Sequence, residues 1–157
     1  MTIRCQEALD IDMIETFIAK EEHLLAISEI EKSIFSEPWT TQTLELFISG
    51  NNFCVACLES DTLVSYCTVL SVLDEAQIVN VATKLEFRGN GYASTVLERV
   101  ILECQRQNLS TISLEVRESN APAITLYQKL GFEIAGKRNN FYKNPRENAL
   151  VMIKNLV

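Results

Sequence analysis

The chain has 157 residues, of which 47% are hydrophobic and 22% charged, and its formal net charge is −7 at pH 7. This length and composition are typical of one folded domain with a core of ordinary size. The acidic balance argues against a broad basic surface for nucleic acid, and no apolar run reaches the roughly 18 residues of a membrane span. The first residues also lack signal-peptide character. We therefore expect a cytoplasmic protein, a monomer or weak dimer, without direct contact to nucleic acid or membrane.

The predicted elements alternate between strands and helices. A strand is predicted over residues 2–8. An extended helical segment is predicted over about 10–34, and Pro38 prevents the helix from continuing. A short helix capped by Thr40 or Thr41 follows. The later predictions are strands 53–58, 63–70 and 75–83, a helix from 92 to about 107, strand 111–116, a helix capped by Asn120, and strands 132–135 and 149–153. This order predicts one α/β domain (α+β mixed) over residues 1–157, with a central mixed sheet and helices on both faces.

Residues 88–94 read Arg-Gly-Asn-Gly-Tyr-Ala-Ser and run directly into a helical pattern. The spacing of one buried helical face continues through Ala93, Val96, Leu97, Val100, Ile101 and Cys104. Glycine allows a close approach of the backbone to a ligand, and a helix N-terminus offers free N–H groups and partial positive charge. The turn therefore predicts a phosphate or pyrophosphate site, although a tight turn alone would also explain two glycines.

Three phosphate carriers can be compared with these residues. The P-loop string Gly-x-x-x-x-Gly-Lys-Ser/Thr does not occur in the chain. A dinucleotide fingerprint would need its glycines directly after the first strand, and here they fall in mid-chain. A pyrophosphate held by Arg88-x-x-Gly91-x-Ala93 remains. With a single histidine, His23, the chain has little from which to build a zinc site, and we expect no metal.

The string Arg-x-x-Gly-x-Ala resembles the acetyl-CoA signature of the GNAT superfamily of N-acetyltransferases. Further segments are similar to its RimI branch, the ribosomal-protein-alanine N-acetyltransferases. They are Phe35-Ser-Glu-Pro-Trp39, Leu73-Asp-Glu-Ala76, Asn80-Val-Ala82, Leu114-Glu-Val-Arg-Glu-Ser-Asn120, Ala123-Ile-Thr-Leu-Tyr127 and Leu130-Gly-Phe132. The resemblance covers roughly residues 23–153. It implies a single GNAT-like domain with a twisted sheet, and acetyl-CoA as the acetyl donor.

Glu115 is the candidate general base. Period two in its strand places Ile112, Leu114 and Val116 on one face and Glu115 on the other. A carboxylate within an apolar strand is costly unless it is paired or functional. It could be a strand-end residue reaching solvent or paired to Arg117. The resemblance implies instead that Glu115 takes a proton from the attacking amine, directly or through a water.

Tyr127 is the candidate general acid. Periodicity alone favours a core aromatic whose hydroxyl is bonded to backbone. The resemblance implies that its phenol protonates the departing CoA thiolate. Asn120 could serve only as a helix cap, and the resemblance adds a contact with CoA.

The resemblance also implies how the donor is held. A bulge at the end of the strand would free N–H groups of Val81, Ala82 and Thr83 for the acetyl carbonyl and the pantetheine amides. The pyrophosphate would be bound by Arg88, Gly89, Asn90, Gly91, Tyr92, Ala93 and Ser94.

The substrate side is predicted in the loops around Pro38–Trp39 and Phe141–Tyr142, with Trp39, Phe141 and Tyr142 as binding residues. Trp39 could equally plug the core. The chain departs from the family pattern in an added helical stretch around residues 10–20, which could reshape the peptide side. It also departs at Lys84-Leu85. A further departure is Asn90, which leaves the phosphate turn with less positive charge.

Three functions follow from these residues. The first is acetyl-CoA-dependent acetylation of a protein N-terminus, the α-amino group of a ribosomal-protein alanine. The second is the same reaction on a small amine or another protein terminus. The third is a CoA-binding module without catalysis, which would need neither Glu115 nor Tyr127.

Overall fold

The computed structural model describes residues 13–157, which form seven strands and four helices. The predicted strand 2–8 lies outside the described residues. The strands are β1 (Ile14–Ile18), β2 (Phe53–Glu59), β3 (Thr62–Val72), β4 (Glu75–Thr83), β5 (Thr111–Arg117), β6 (Glu133–Lys143) and β7 (Arg146–Asn155). The helices are α1 (Leu24–Ile34), α2 (Thr41–Glu45), α3 (Tyr92–Arg106) and α4 (Ala121–Lys129). Short 3-10 turns occupy Glu21–His23, Leu46–Ile48 and Leu85–Phe87.

All seven strands belong to one mixed sheet of order β1-β2-β3-β4-β5-β7-β6. Neighbouring strands are antiparallel except for β4 and β5, which are parallel. The parallel register covers only three residue pairs, from Glu75↔Thr111 to Gln77↔Ser113. Beyond these pairs the two strands part, and a gap opens in the middle of the sheet.

Helices cover both faces of the sheet, as predicted. On one face α3 contributes Val96, Leu97 and Val100 to a core with the even-numbered residues of β5. On the other face α1 packs Ile27 and Ile30 against β2 and β3. The predicted class of fold is therefore confirmed, with a two-sided core that holds β4 and β5 in the centre.

The extended helical segment predicted over about 10–34 is wrong in its first half. Ile14–Ile18 is a strand that pairs antiparallel with β2, and only Leu24–Ile34 is α-helical. The spacing of Ile14, Phe17 and Ile18 is helical, but isoleucine, threonine and phenylalanine favour strands, and pairing with the β2 edge selects the strand. Two strands separate β1 from β4, so this stretch lies away from the gap. Residues 10–12 lie outside the described part of the chain.

Two further predictions need correction. The bulge of β4 lies at Val79, where the register with β3 shifts, whereas Val81, Ala82 and Thr83 pair regularly with β3. Phe141 and Tyr142 lie in strand β6 and not in a loop. Residues 136–140 are polar or glycine and exposed, so the sequence pattern indicates a strand only over 132–135.

None of the helices that the structure describes is long and apolar enough to cross a membrane.

Candidate active site

A cavity of about 530 Å³ lies at the gap between β4 and β5. It is within the range of volumes of small-molecule sites. Most of the predicted donor-binding residues line it: Val81, Ala82, Thr83, Arg88, Gly89, Gly91, Tyr92, Ala93, Ser94, Asn120 and Tyr127. The lining also includes residues that sequence reasoning missed: Ile34, Phe35, Phe87, Leu97, Pro122, Ala123 and Leu126. Most of these are apolar, and in the sequence they follow the same periodicity as the core, so no signal distinguishes them.

The glycine turn enters the cavity through its backbone. Gly89 and Gly91 have φ values of 80° and 82°, in the left-handed region that favours glycine. A β-carbon at either position would have no atom within 4 Å, so the backbone there faces open space. The glycines are thus required by the dihedral angle, and the space above them is available to a ligand.

The N-terminus of α3 directly follows this turn. Its first intrahelical bond runs from Thr95 N to Gly91 O at 3.0 Å, which leaves the N–H groups of Tyr92, Ala93 and Ser94 without partners in the helix. The Tyr92 ring is buried in the core with its edge toward Phe87. Tyr92 offers its free N–H group to a ligand at this turn.

Two side chains fix the shape of the turn. Arg88 Nε donates to Thr83 O at 3.3 Å and so joins the turn to the end of β4. Asn90 is exposed outside the cavity, and its Nδ2 donates to Phe87 O at 3.1 Å and to Arg88 O at 3.3 Å. These contacts give Asn90 a structural role in the turn; its predicted contact with the donor stays a prediction.

The end of β4 is held by Ser65, a buried serine on β3. Ser65 Oγ lies 2.9 Å from Thr83 Oγ1 and donates to Ala82 O at 2.9 Å. The opposite edge of β4 faces the gap, because its parallel pairs with β5 end at Gln77. A ligand in the gap can therefore pair with the backbone of residues 78–83.

Helix α4 brings two predicted residues to the cavity. Asn120 Oδ1 accepts from Ala123 N at 3.3 Å, which confirms its predicted role as the cap of the helix. The Tyr127 ring packs edge-on against Phe132 with centroids 5.9 Å apart. Burial, and then the nearby Cys67 and Tyr142, raise the pKa of Tyr127 above its ordinary value. Its phenol is therefore protonated at physiological pH.

Glu115 lies on β5, the strand that borders the gap, and its side chain is on the other face of the sheet. The buried residues Ile112, Leu114 and Val116 belong to the core under α3, against which Tyr127 also packs. Strand alternation turns Glu115 to the opposite face. The predicted base and the predicted acid thus approach the gap from opposite sides, and Glu115 lies outside the lining of the cavity.

The ionic partner of Glu115 is Arg138 on β6, with Nη1 3.2 Å from Oε1. The Glu115 side chain is 17% exposed and that of Arg138 is 59% exposed. Arg117, which the sequence suggested as a partner, pairs instead with Glu147 at 3.2 Å. Sequence reasoning missed Arg138 because its contact with Glu115 depends on the irregular register of β6.

Tyr142 lies near both Glu115 and Arg117. The Arg117 guanidinium carbon is 4.2 Å from its ring centroid, and the Phe141 ring stands perpendicular to it at 5.0 Å. Burial and then the charge of Glu115 raise the pKa of Tyr142, against the opposing effect of Arg117. Phe141 and Tyr142 are thus near the Glu115–Arg138 pair, on the face of the sheet opposite α3.

Trp39 is not among the residues that line the cavity. Its ring stacks on Phe47 at 5.1 Å with the planes 1° apart, and it packs against the core under α1. This contact supports the packing role that the sequence left open. A contact of Trp39 with substrate stays a prediction.

The fold places the chain in a class of N-acetyltransferases. The crystal structure of the ribosomal-protein-S18-alanine N-acetyltransferase from Escherichia coli matches it with a TM-score of 0.85 and 29% identity, covering 92% of this chain and 94% of that one. The model of the "Acetyltransferase (GNAT) family" matches residues 24–132, and the chain belongs to this family. Acetyl-CoA is the acetyl donor of that family.

Two relatives are similar over most of their length. The [ribosomal protein bS18]-alanine N-acetyltransferase of Haemophilus ducreyi is 34% identical over 143 residues, covering 89% of this chain and 97% of the relative. The protein of the same name from Escherichia coli (strain K12) is 32% identical over 131 residues, covering 82% of this chain and 88% of the relative.

Proposed function

We propose that this protein transfers the acetyl group of acetyl-CoA to the N-terminal α-amino group of a protein, with the N-terminal alanine of ribosomal protein bS18 as its substrate. The single observation that carries the proposal is the gap between β4 and β5, which Tyr127 and Glu115 approach from opposite faces. Donor and acceptor can thus enter from separate sides and meet at the gap. The names of the similar bacterial proteins support the choice of acceptor.

The cavity face of the gap suits acetyl-CoA. The open space over Gly89 and Gly91 and the free N–H groups of α3 form an anion site that accepts a pyrophosphate. The unpaired edge of β4 offers amide partners to the pantetheine arm, in the manner of an added strand. Since backbone groups alternate between the two edges of a strand, the N–H groups of residues 81–83 that point into the gap stabilise negative charge that develops on the acetyl oxygen.

Glu115 receives the proton of the attacking amine, directly or through one water. An α-amino group has a pKa of about 7.7–8.0 and is partly neutral near pH 7, whereas a lysine amine with a pKa of about 10.4 almost never is. A single carboxylate base without a metal therefore suits an N-terminal acceptor better than a lysine side chain. As the new N–C bond forms, the C–S bond to CoA breaks.

Tyr127 stabilises the leaving sulfur. Its raised pKa keeps the proton on the phenol, so the group is a hydrogen-bond donor throughout the working pH range. A thiol has a pKa of about 8.5. Complete transfer from a more basic phenol is therefore uphill, and the main contribution of Tyr127 is a hydrogen bond that strengthens as charge develops on sulfur.

Peptides that differ only in their acceptor amine test this function. The first ten residues of bS18 from the same organism, beginning with alanine, are incubated with enzyme and acetyl-CoA, and fragmentation mass spectrometry locates the acetyl group. Matched peptides carry serine or methionine first, or a blocked N-terminus with a free lysine. We expect acetylation of the alanine α-amine and none of the lysine. Acetylation of small free amines but of no peptide would contradict the proposal and favour a small-molecule acceptor.

A further inference from the structure

A buried acidic residue on α1 has no part in the chemistry described above. Glu31 is 1% exposed, although it lies one turn from Ile27 on the apolar face of the helix. Both oxygens of its side chain accept hydrogen bonds. Asn80 Nδ2 donates to Oε1 at 2.8 Å, the Tyr66 hydroxyl donates to the same atom, and Trp39 N donates to Oε2 at 3.1 Å. Among the described residues, all these partners are neutral.

Stability alone does not explain an acidic side chain at this position. Burying a carboxyl group without a cation costs free energy that an apolar side chain of similar size would avoid. The hydrogen bonds reduce this cost, but the same space could be filled by a leucine or methionine. The arrangement is therefore better explained by what the three bonds hold in place.

The bonds of Glu31 converge on the part of β4 that follows its bulge. Asn80 is the first residue that pairs after the bulge at Val79, and its own N–H donates to Thr68 Oγ1 at 3.1 Å. Tyr66 is the register partner of Ala82, which lines the cavity. Glu31 thus holds the gap-facing segment directly at Asn80, and through Tyr66 at Ala82.

The same helix forms another part of the cavity wall. Ile34 and Phe35 at the C-terminal end of α1 line the cavity, and Phe35 N donates to Glu31 O at 2.9 Å. Glu31 therefore connects the cavity wall formed by α1 to the cavity wall formed by residues 81–83. The width of the cavity between these walls depends on it.

We propose that Glu31 is a positioning residue that sets the distance between α1 and β4, and thereby holds the backbone of residues 81–83 against the acetyl group of the donor. The inference rests on the proposed function for the identity of the donor. It predicts a loss of rate without a loss of donor affinity, because the phosphate turn at residues 88–94 leads into α3, which packs in the core on the opposite face of the sheet from α1. A displacement of about 1 Å at a reacting group can cost about 100-fold in rate.

The first test follows the backbone without turnover. Amide resonances of uniformly 15N-labelled protein are compared with CoA and with acetyl-CoA, so that the difference reports the acetyl group alone. In the wild type we expect this difference at Val81, Ala82 and Thr83. In Glu31→Gln we expect it to disappear, while the shifts that CoA causes at residues 89–94 remain.

The second test uses kinetics with three variants. Glu31→Gln is expected to lower kcat at least about 10-fold with KM for acetyl-CoA within about twofold, as expected for a misplaced reacting group. Tyr66→Phe removes one donor without changing shape and is expected to have a smaller effect in the same direction. The double variant Glu31→Gln, Asn80→Asp reverses the direction of the hydrogen bond between these two side chains. It is expected to restore part of kcat.

Ile27→Val is the control, since Ile27 is fully buried on the same helix and makes none of these bonds. It should lower the melting temperature and leave kcat unchanged. If Glu31→Gln behaves in the same way and keeps the acetyl-dependent shifts, the positioning role is wrong. If the wild type shows no acetyl-dependent shift at residues 81–83, the donor site and the positioning role are both wrong. If it shows the shift but acetylates no peptide, only the proposed acceptor fails.

Discussion

The two faces of the gap are built differently. The donor face, formed by residues 81–83, 88–94, Asn120 and Tyr127, consists mainly of backbone groups from short consecutive segments. The proposed acceptor face consists of side chains from two strands, with Glu115 on β5 more than 20 residues from Arg138, Phe141 and Tyr142 on β6. Under the proposed function, the donor face therefore suits one fixed ligand, and substitution of side chains on the acceptor face can change specificity without altering the fold.

The largest expected effect separates catalysis from donor binding. Glu115→Gln should lower kcat about 100- to 10,000-fold, the usual contribution of a general base, while calorimetry shows unchanged binding of acetyl-CoA. Glu118→Gln is the matched control, because Glu118 lies beyond β5 and pairs with Lys137. Full activity of Glu115→Gln would remove Glu115 from the mechanism.

The second largest effect tests Tyr127 as the hydrogen-bond donor to the leaving sulfur. Tyr127→Phe removes a hydrogen bond to a developing charge, for which about 1.5–3 kcal/mol, or about 10- to 100-fold in kcat, is expected. Because the pKa of Tyr127 is raised, the group does not titrate below pH 10, and kcat of the wild type should not fall through this group between pH 7 and about 9. An alkaline fall in that window that disappears in Tyr127→Phe would contradict the assignment.

A backbone substitution tests the phosphate turn. Gly91→Ala places a β-carbon on a residue with φ of 82°, at a cost of about 1–2 kcal/mol. If the turn relaxes to avoid this strain, KM for acetyl-CoA should rise about 10-fold with little change in KM for the peptide. Gly50→Ala is the control, since Gly50 has φ of 63° but follows α2 outside the cavity lining. Equal effects of the two variants on KM would show that only stability had changed.

The smallest effect concerns the acceptor face. Arg138 neutralises the carboxylate that the acceptor ammonium must approach, so Arg138→Gln should lower KM for the peptide. Exposed ion pairs contribute about 0.2–1 kcal/mol, which limits the change to about fivefold. Lys137→Gln, at the neighbouring position, should leave KM unchanged. A rise in KM for Arg138→Gln would mean that Arg138 itself binds the peptide.

The contrast between the faces also explains how much the sequence could predict. The glycine turn and α3 were predicted correctly, because their signal lies in consecutive residues between 88 and 106. The cap by Asn120 was correct for the same reason. The pairing of Glu115 with Arg138 and the bulge at Val79 depend on strand register, which no short pattern encodes.

Local ambiguity accounts for the remaining errors. The spacing of Ile14, Phe17 and Ile18 fits a helical face, whereas their residue types favour a strand, and the neighbouring β2 edge selects the strand. Glu31 carried a signal in the sequence, an acidic residue on an apolar helical face, but its partners are 35 and 49 residues away in Tyr66 and Asn80.

A crystal structure with a bisubstrate analogue, CoA joined to the α-nitrogen of an alanine-starting bS18 peptide, tests the central claim most directly. We predict the pyrophosphate over Gly89 and Gly91, the former acetyl oxygen at the N–H groups of residues 81–83, and Tyr127 Oη within hydrogen-bond distance of sulfur. The peptide nitrogen should lie within reach of Glu115, directly or through one water, with the peptide leaving past Tyr142. An analogue bound with its peptide on the α4 side of the sheet, away from Glu115, would contradict the account.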